Sequence, residues 1–221
     1  MLSSVLAVAG CGPIFARGGD VPYVQTPAPV VEAMLALAEV GPDDVVYDLG
    51  AGDGRIVIAA ARWRGARGVG IEIDPDLVRQ ARRAAERAGV ADRVRFETSD
   101  LFTTDVRDAT VVTLYLSPDL NTRLLPRLLH DLRPGARIVS HQFPMSDWTP
   151  TRTVRLTVDG REHVLYLWIV RRGAVPGRGA APCAAGPHVS APPQRRTPRS
   201  ARAAQTRGRY PRGAESFPAP D

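Results

Sequence analysis

Asp48-Leu49-Gly50-Ala51-Gly52-Asp53-Gly54 is the stretch of this chain whose residue types and spacing best suit chemistry. Glycines at alternate positions let the backbone approach a ligand closely and take positive φ where a tight turn needs it. Their G-x-G-x-G spacing differs from the G-x-G-x-x-G expected of dinucleotide sites. Asp48, two residues ahead of the first glycine, can accept from an ammonium group. Glu72 ends the next apolar run, where one carboxylate can take both hydroxyls of a ribose. An acid within the turn, Asp53, would repel a pyrophosphate placed at a helix N-terminus, so a ligand without phosphate is expected there.

An adenosine unit joined to a cationic amino-acid end, as in S-adenosyl-L-methionine, meets these requirements. A purely structural turn and a nicotinamide or flavin site are the competing readings. Asp100 can accept from the adenine amine, with Leu101 or Phe102 packing on the ring and Ile73 against its other face. Asp100 as a turn residue and Ile73 as plain core are the bland alternatives.

Elements that could hold these residues follow from the hydrophobic periodicity. Pro27-Ala28-Pro29 opens a helix, since proline suits a first turn, and the apolar spacing from Val30 to Ala38 continues it to Gly41-Pro42. Strands are expected at 45–49, 68–73, 94–97, 110–116 and 137–141, and helices at 56–63, 75–88 and 119–132. Two last strands, 153–158 and 163–170, flank Asp159-Gly160, a favoured hairpin turn. Strands alternating with helices imply right-handed crossovers and a parallel sheet. The expected fold is therefore α/β and Rossmann-like, a mostly parallel doubly wound sheet ending in an antiparallel hairpin.

The formal charge of +6 invites a nucleic-acid reading until it is divided along the chain. Residues 173–221 hold eight Arg and two acids, while residues 1–172 hold 21 of each. The body is neutral, so nucleic acid is not an expected partner except through the tail. That tail is rich in Arg, Pro, Ala and Gly, and is read as disordered because it has little to bury. All basic residues are Arg, which points to coding bias more than to a ligand. Cys11 and Cys183 form no disulfide framework or metal cluster. Residues 1–19 are an N-terminal lead in which Val8-Ala9-Gly10-Cys11 resembles a lipoprotein cleavage box, without the positive start of a signal peptide. Membrane attachment through Cys11 is one reading and an ordinary frayed terminus the other. Residues 20–172 form the expected catalytic domain, acting as a monomer.

With those residues in hand, the chain is similar to class I S-adenosylmethionine-dependent methyltransferases. Within them it resembles bacterial relatives of the ATP synthase c-subunit lysine methyltransferase family. The likeness rests on Val21-Pro22-Tyr23-Val24-Gln25-Thr26-Pro27, on Asp48 to Val57, on Tyr115-Leu116-Ser117-Pro118, and on Gly135 to Ser140 followed by Phe143-Pro144 and Trp148. Gln25 and Ala51 depart mildly from the pattern. The resemblance implies that Tyr23 and Thr26 close over the methionine end of the cofactor, and that the acceptor is a protein lysine. A small-molecule O- or N-methyltransferase is the enzyme alternative, and a non-catalytic cofactor-binding lipoprotein the alternative of a different class. Export would separate such an enzyme from its cofactor supply, so a cytoplasmic location is expected.

The acceptor side is less legible. Leu116-Ser117-Pro118-Asp119 stands where amine methylases that act on adenine or glutamine carry Asp/Asn-Pro-Pro-Tyr. Tyr115, Asp119 and His141 are the polar candidates at that rim. Asp119 also suits a helix N-cap, His141 an ordinary strand end and Trp148 a core lid. No strong general base for a lysine acceptor stands out.

Overall fold

The computed structural model describes residues 23–146 and 148–171. Readings that fall on Cys11, the lead or the Arg-rich tail lie outside the described residues. No helix among those described is long and apolar enough to cross a membrane.

Seven strands form one sheet in the order β3-β2-β1-β4-β5-β7-β6. They are β1 (Val45–Leu49), β2 (Arg67–Glu72), β3 (Val94–Thr98), β4 (Val111–Leu114), β5 (Arg137–His141), β6 (Arg152–Val158) and β7 (Arg161–Ile169). The first five run parallel; β7 pairs antiparallel with both β5 and β6. The hairpin turns through Asp159 and Gly160, both at positive φ, as its two-residue loop requires. Among the described residues, α1 (Ala28–Leu37) precedes β1, while α2 (Arg55–Arg64), α3 (Pro75–Arg87) and α4 (Pro118–Asp131) connect β1 to β2, β2 to β3 and β4 to β5. This is the expected mostly parallel, Rossmann-like sheet with an antiparallel end.

Alternation along the strands sorts side chains into two cores. Val46, Val111, Val139, Leu165 and Leu167 pack with α1, α2 and α3 on one face. Tyr47, Leu49, Val112, Leu114, Ile138 and Trp168 pack with Leu120, Leu124, Leu125 and Leu128 of α4 on the other. By the same parity, Asp48 on β1 and Thr113 on β4 share the first face, where they are paired residues in the register. At the opposite end of the sheet, Arg137 donates to the carbonyl of Ala38 at 2.6 Å and pairs with buried Asp44, tying the end of α1 to β1 and β5.

Helix starts carry their own signals. Asp74 caps α3, accepting from the Asp76 amide at 2.8 Å. Ser117, not Asp119, is the N-cap of α4 and accepts from the Leu120 amide at 3.3 Å. Asp119 lies within the first turn, exposed, where a negative charge favours the helix N-terminus.

Candidate active site

The strand order reverses between β1 and β4, and crevices in open α/β sheets form at that point, beyond the carboxyl ends of the strands. A cavity of about 300 Å³ lies there. Its lining draws Asp48 from β1 and Gly50 from the turn after it, Glu72 from the end of β2 and Ile73 just beyond, and Asp100 and Leu101 from beyond β3. Tyr115 from beyond β4, and Tyr23 and Thr26 from the segment before α1, complete the expected residues gathered around it.

Glycines 50, 52 and 54 all take positive φ. A Cβ on Gly52 would lie 2.3 Å from the Tyr23 ring, so the missing side chain is what lets Tyr23 lie across the turn. Gly54 is packed under Phe96 instead of facing the cavity. Glu72 accepts from the amides of Gly52 at 2.9 Å, Ile73 at 2.8 Å and Asp74 at 3.0 Å. Three backbone donors thus fix its carboxylate between the turn and the start of α3. Asp100 accepts from the Phe102 amide at 2.8 Å, which shapes the loop carrying Leu101 and Phe102 along the cavity.

Asp48 is buried and accepts from the Thr113 hydroxyl at 2.8 Å. Burial pushes its carboxyl up to about 7; the Thr113 hydrogen bond opposes this, and the charges of Glu72 and Asp53 add to it. A carboxylate in that state gains from a nearby cation, which restores the stabilisation of its charge that water no longer gives. The Tyr23 hydroxyl is buried without a hydrogen-bond partner, and burial first, then Asp53, raise it to about 12. It is a neutral hydroxyl at the cavity, held beside Asp53, Gln25 and Arg55.

Residues that sequence reasoning passed over close the N-terminal segment. Arg55 forks onto Asp53 at 2.6 Å and donates to the Thr26 carbonyl at 2.9 Å, while Gln25 reaches Asp53 at 3.5 Å. The pair latches residues 23–26 across the glycine turn. Its only signal in the sequence was an acid and an arginine two residues apart. Arg55→Ala is expected to speed dissociation of S-adenosylhomocysteine about five- to tenfold, the scale of one ordinary hydrogen bond, since the latch touches the cofactor only through residues 23–26. Arg55→Lys should not restore the slow rate, because one ammonium cannot fork onto a carboxylate and also reach the carbonyl. Stopped-flow displacement measures both; a wild-type rate in the alanine variant would show that the latch holds nothing.

His141 is a correction to the expected rim. It is fully buried behind the wall, because the α1 face of the sheet continues over β5 and β7. Asp119 does not line the cavity either; the first turn of α4 points it to solvent. Leu120 and Arg123 of that helix line it instead. Buried Asn121 donates to the carbonyl of Phe143 at 3.1 Å and so holds the chain after β5. Trp148 accepts at its carbonyl from the Trp168 indole at 2.7 Å and stacks on that ring, a packing role.

The residues present fit S-adenosylmethionine: an acid at the end of β2, a glycine cradle, an orphaned tyrosine hydroxyl and a desolvated carboxyl that a cation would relieve. A pyrophosphate would instead meet Asp53 beside the start of α2. Fold and cavity together define a class I S-adenosylmethionine-dependent methyltransferase. When bound, that cofactor supplies an electrophilic methyl group on a sulfonium.

The comparisons narrow the class to a family. The model of the ANTKMT methyltransferase domain matches residues 48–152. A protein-lysine N-methyltransferase of Saccharolobus islandicus is 41% identical over 151 residues, covering 68% of this chain and 94% of that protein. The mouse ATP synthase c-subunit lysine N-methyltransferase is 34% identical over 161 residues, 73% of this chain and 62% of that protein. A crystal structure described as an RNA methyltransferase from Salinibacter ruber, in complex with S-adenosyl-L-homocysteine, is 55% identical. It has a TM-score of 0.65 and covers 70% of this chain and 97% of that one. The chain belongs to the methyltransferase family that carries the ANTKMT domain.

Proposed function

We propose that this chain transfers a methyl group from S-adenosylmethionine to the side-chain nitrogen of a protein lysine. The observation that carries the reading is the sign of charge around the cavity. Asp48, Asp53, Glu72 and Asp100 line it against Arg55 and Arg123. Asp53 and Arg55 offset each other, and Arg123 lies over the Phe102 ring at 4.2 Å. These acids face the cationic cofactor, so the acceptor meets a mouth without the excess positive charge that a phosphate backbone draws on. The relatives from Saccharolobus islandicus and mouse are named for protein lysines.

The Salinibacter ruber protein is described as acting on RNA, which makes RNA the second reading. Against it, the 21 Arg of residues 1–172 are balanced by 21 acids, whereas RNA binding draws on an excess of positive charge around the site. A lysine amine must reach the methyl carbon as the free base, with its lone pair in line. Alignment and exclusion of water, more than a strong base, are what the Tyr23 and Tyr115 walls can supply.

The test is incubation of the protein with methyl-labelled cofactor and undenatured extract of host cells depleted of it. Label should enter protein, and acid hydrolysis should release it as methyl-lysine. Label removed by ribonuclease would replace lysine with RNA, and label confined to small molecules would mean a metabolite acceptor. The lipoprotein reading of Cys11 is tested separately by mass spectrometry, where an intact Met1 would rule it out.

A further inference from the structure

Behind the cavity wall, two histidines occupy places that apolar side chains could fill. His141, the last residue of β5, is fully buried, and its ring centroid lies 4.0 Å from that of Tyr115. Its Nε2 is 2.9 Å from Nδ1 of His163, a half-buried residue of β7. His141 faces Leu165 across the antiparallel pair, so His163 is its diagonal neighbour on the same face. The remaining ring nitrogen of His141, Nδ1, is buried with no partner.

Burying an unpaired polar atom costs free energy that a Phe or Leu in the same place would not incur. The arrangement itself favours one tautomer. If His141 Nε2–H donates to His163 Nδ1, the atom left unpaired is a bare nitrogen instead of an N–H. Burial, reinforced by the neighbouring imidazole, lowers His141 to about 4, so it is neutral near pH 7. A hydrogen bond at one edge of the ring prevents it from turning, and the other side of the ring meets Tyr115 in a tilted stack of 39°. Tyr115 lines the cavity directly after β4, beside Leu116 and close to the start of α4.

We propose that His141, anchored by His163, is a positioning residue that sets the Tyr115 ring in the wall along which the methyl acceptor approaches. The inference rests on the methyltransferase reading of the cavity, and holds whether or not the acceptor is a lysine. Its force comes from geometry: small misplacements of groups that align a transfer lower the rate far more than they weaken binding.

The test uses His163→Leu, which removes the anchor at a half-buried site that does not touch Tyr115 in a ring contact, and His141→Phe, which keeps an aromatic ring against Tyr115. In ring-labelled tyrosine NMR of the full chain bound to S-adenosylhomocysteine, His163→Leu should change the Tyr115 shifts and speed its ring flips. Transfer of labelled methyl groups into host extract at saturating cofactor should fall about tenfold, with S-adenosylhomocysteine affinity unchanged. His141→Phe should recover most of the rate. Tyr115 signals identical to wild type in His163→Leu would overturn the proposal, as would a rate loss fully matched by lost cofactor affinity. The NMR arm needs no acceptor. An absence of label with wild-type protein would therefore count against the lysine reading, while the Tyr115 signals still decide this one.

Discussion

Asp48→Asn is expected to raise the melting temperature of the free protein at pH 8 and to weaken S-adenosylmethionine binding roughly 10- to 150-fold. The two effects have one cause. Burial has pushed this carboxyl up to about 7, well above the ~3.9 of an unfolded aspartate. The folded state therefore holds its proton more tightly than the unfolded chain, and the stability this contributes is present at low pH. It is lost as pH rises through about 7, where folding must carry an ionised carboxylate in a desolvated site. Asparagine removes that burden and can still accept from Thr113. The gain should be on the order of 4 kcal/mol at most at pH 8, and absent near pH 4.

Binding moves in the opposite direction, because a cationic ligand needs the ionised form. Removing one charge-assisted hydrogen bond costs about 1.5–3 kcal/mol, which is the fold-change stated. For the wild type, affinity should fall as pH drops below about 7, with proton release on binding; in Asp48→Asn the affinity should be flat across that range. Calorimetry at pH 6, 7 and 8 in buffers of different ionisation enthalpy reads both. Equal melting temperatures and equal affinities in the two proteins would remove Asp48 from the site.

Gly54→Ala is the second large effect, and it is on stability. Gly54 is the N-cap of α2, at φ 78°, where an L side chain costs about 1–2 kcal/mol. Its new Cβ would also lie 2.4 Å from Cε1 of Phe96 and 2.9 Å from the Ala81 methyl. Overpacking of that kind costs typically 1–3 kcal/mol, for a total of about 2–5. A domain this size loses roughly 2–4 °C per kcal/mol, so the melting temperature should drop by about 5–20 °C. Gly89→Ala is the internal control. That residue has φ 67° but nothing within 4 Å of its would-be Cβ, so it should show the backbone strain alone. Similar losses in both variants would mean that Phe96 yields freely and the clash is not felt.

Much of this architecture was legible before any coordinates. β1 and β5 have the bounds that their apolar runs suggested, and Asp159-Gly160 turns the hairpin as that dipeptide predicts. Those features depend on neighbours in sequence: alternation of period 2, proline and aspartate at helix starts, and glycine where φ is positive. Asp48, Glu72 and the glycine turn were also readable, because the motif and the element that positions it are contiguous. Side chains at the carboxyl ends of parallel strands then converge whatever the details of the loops.

What the sequence could not specify is anything set by residues far apart meeting across the sheet. The partner of Asp48 is Thr113, 65 positions away, and it follows from the β1–β4 register alone. The Asp53–Arg55 latch needs the segment at residues 23–26 to fold back over the turn. His141 looked like a rim residue because it ends a strand, as Glu72 does at the cavity. Its burial was decided by β7, which returns antiparallel beside β5 and brings His163 against it. Local periodicity determines which face of a strand a side chain takes, and only the tertiary structure decides what covers that face.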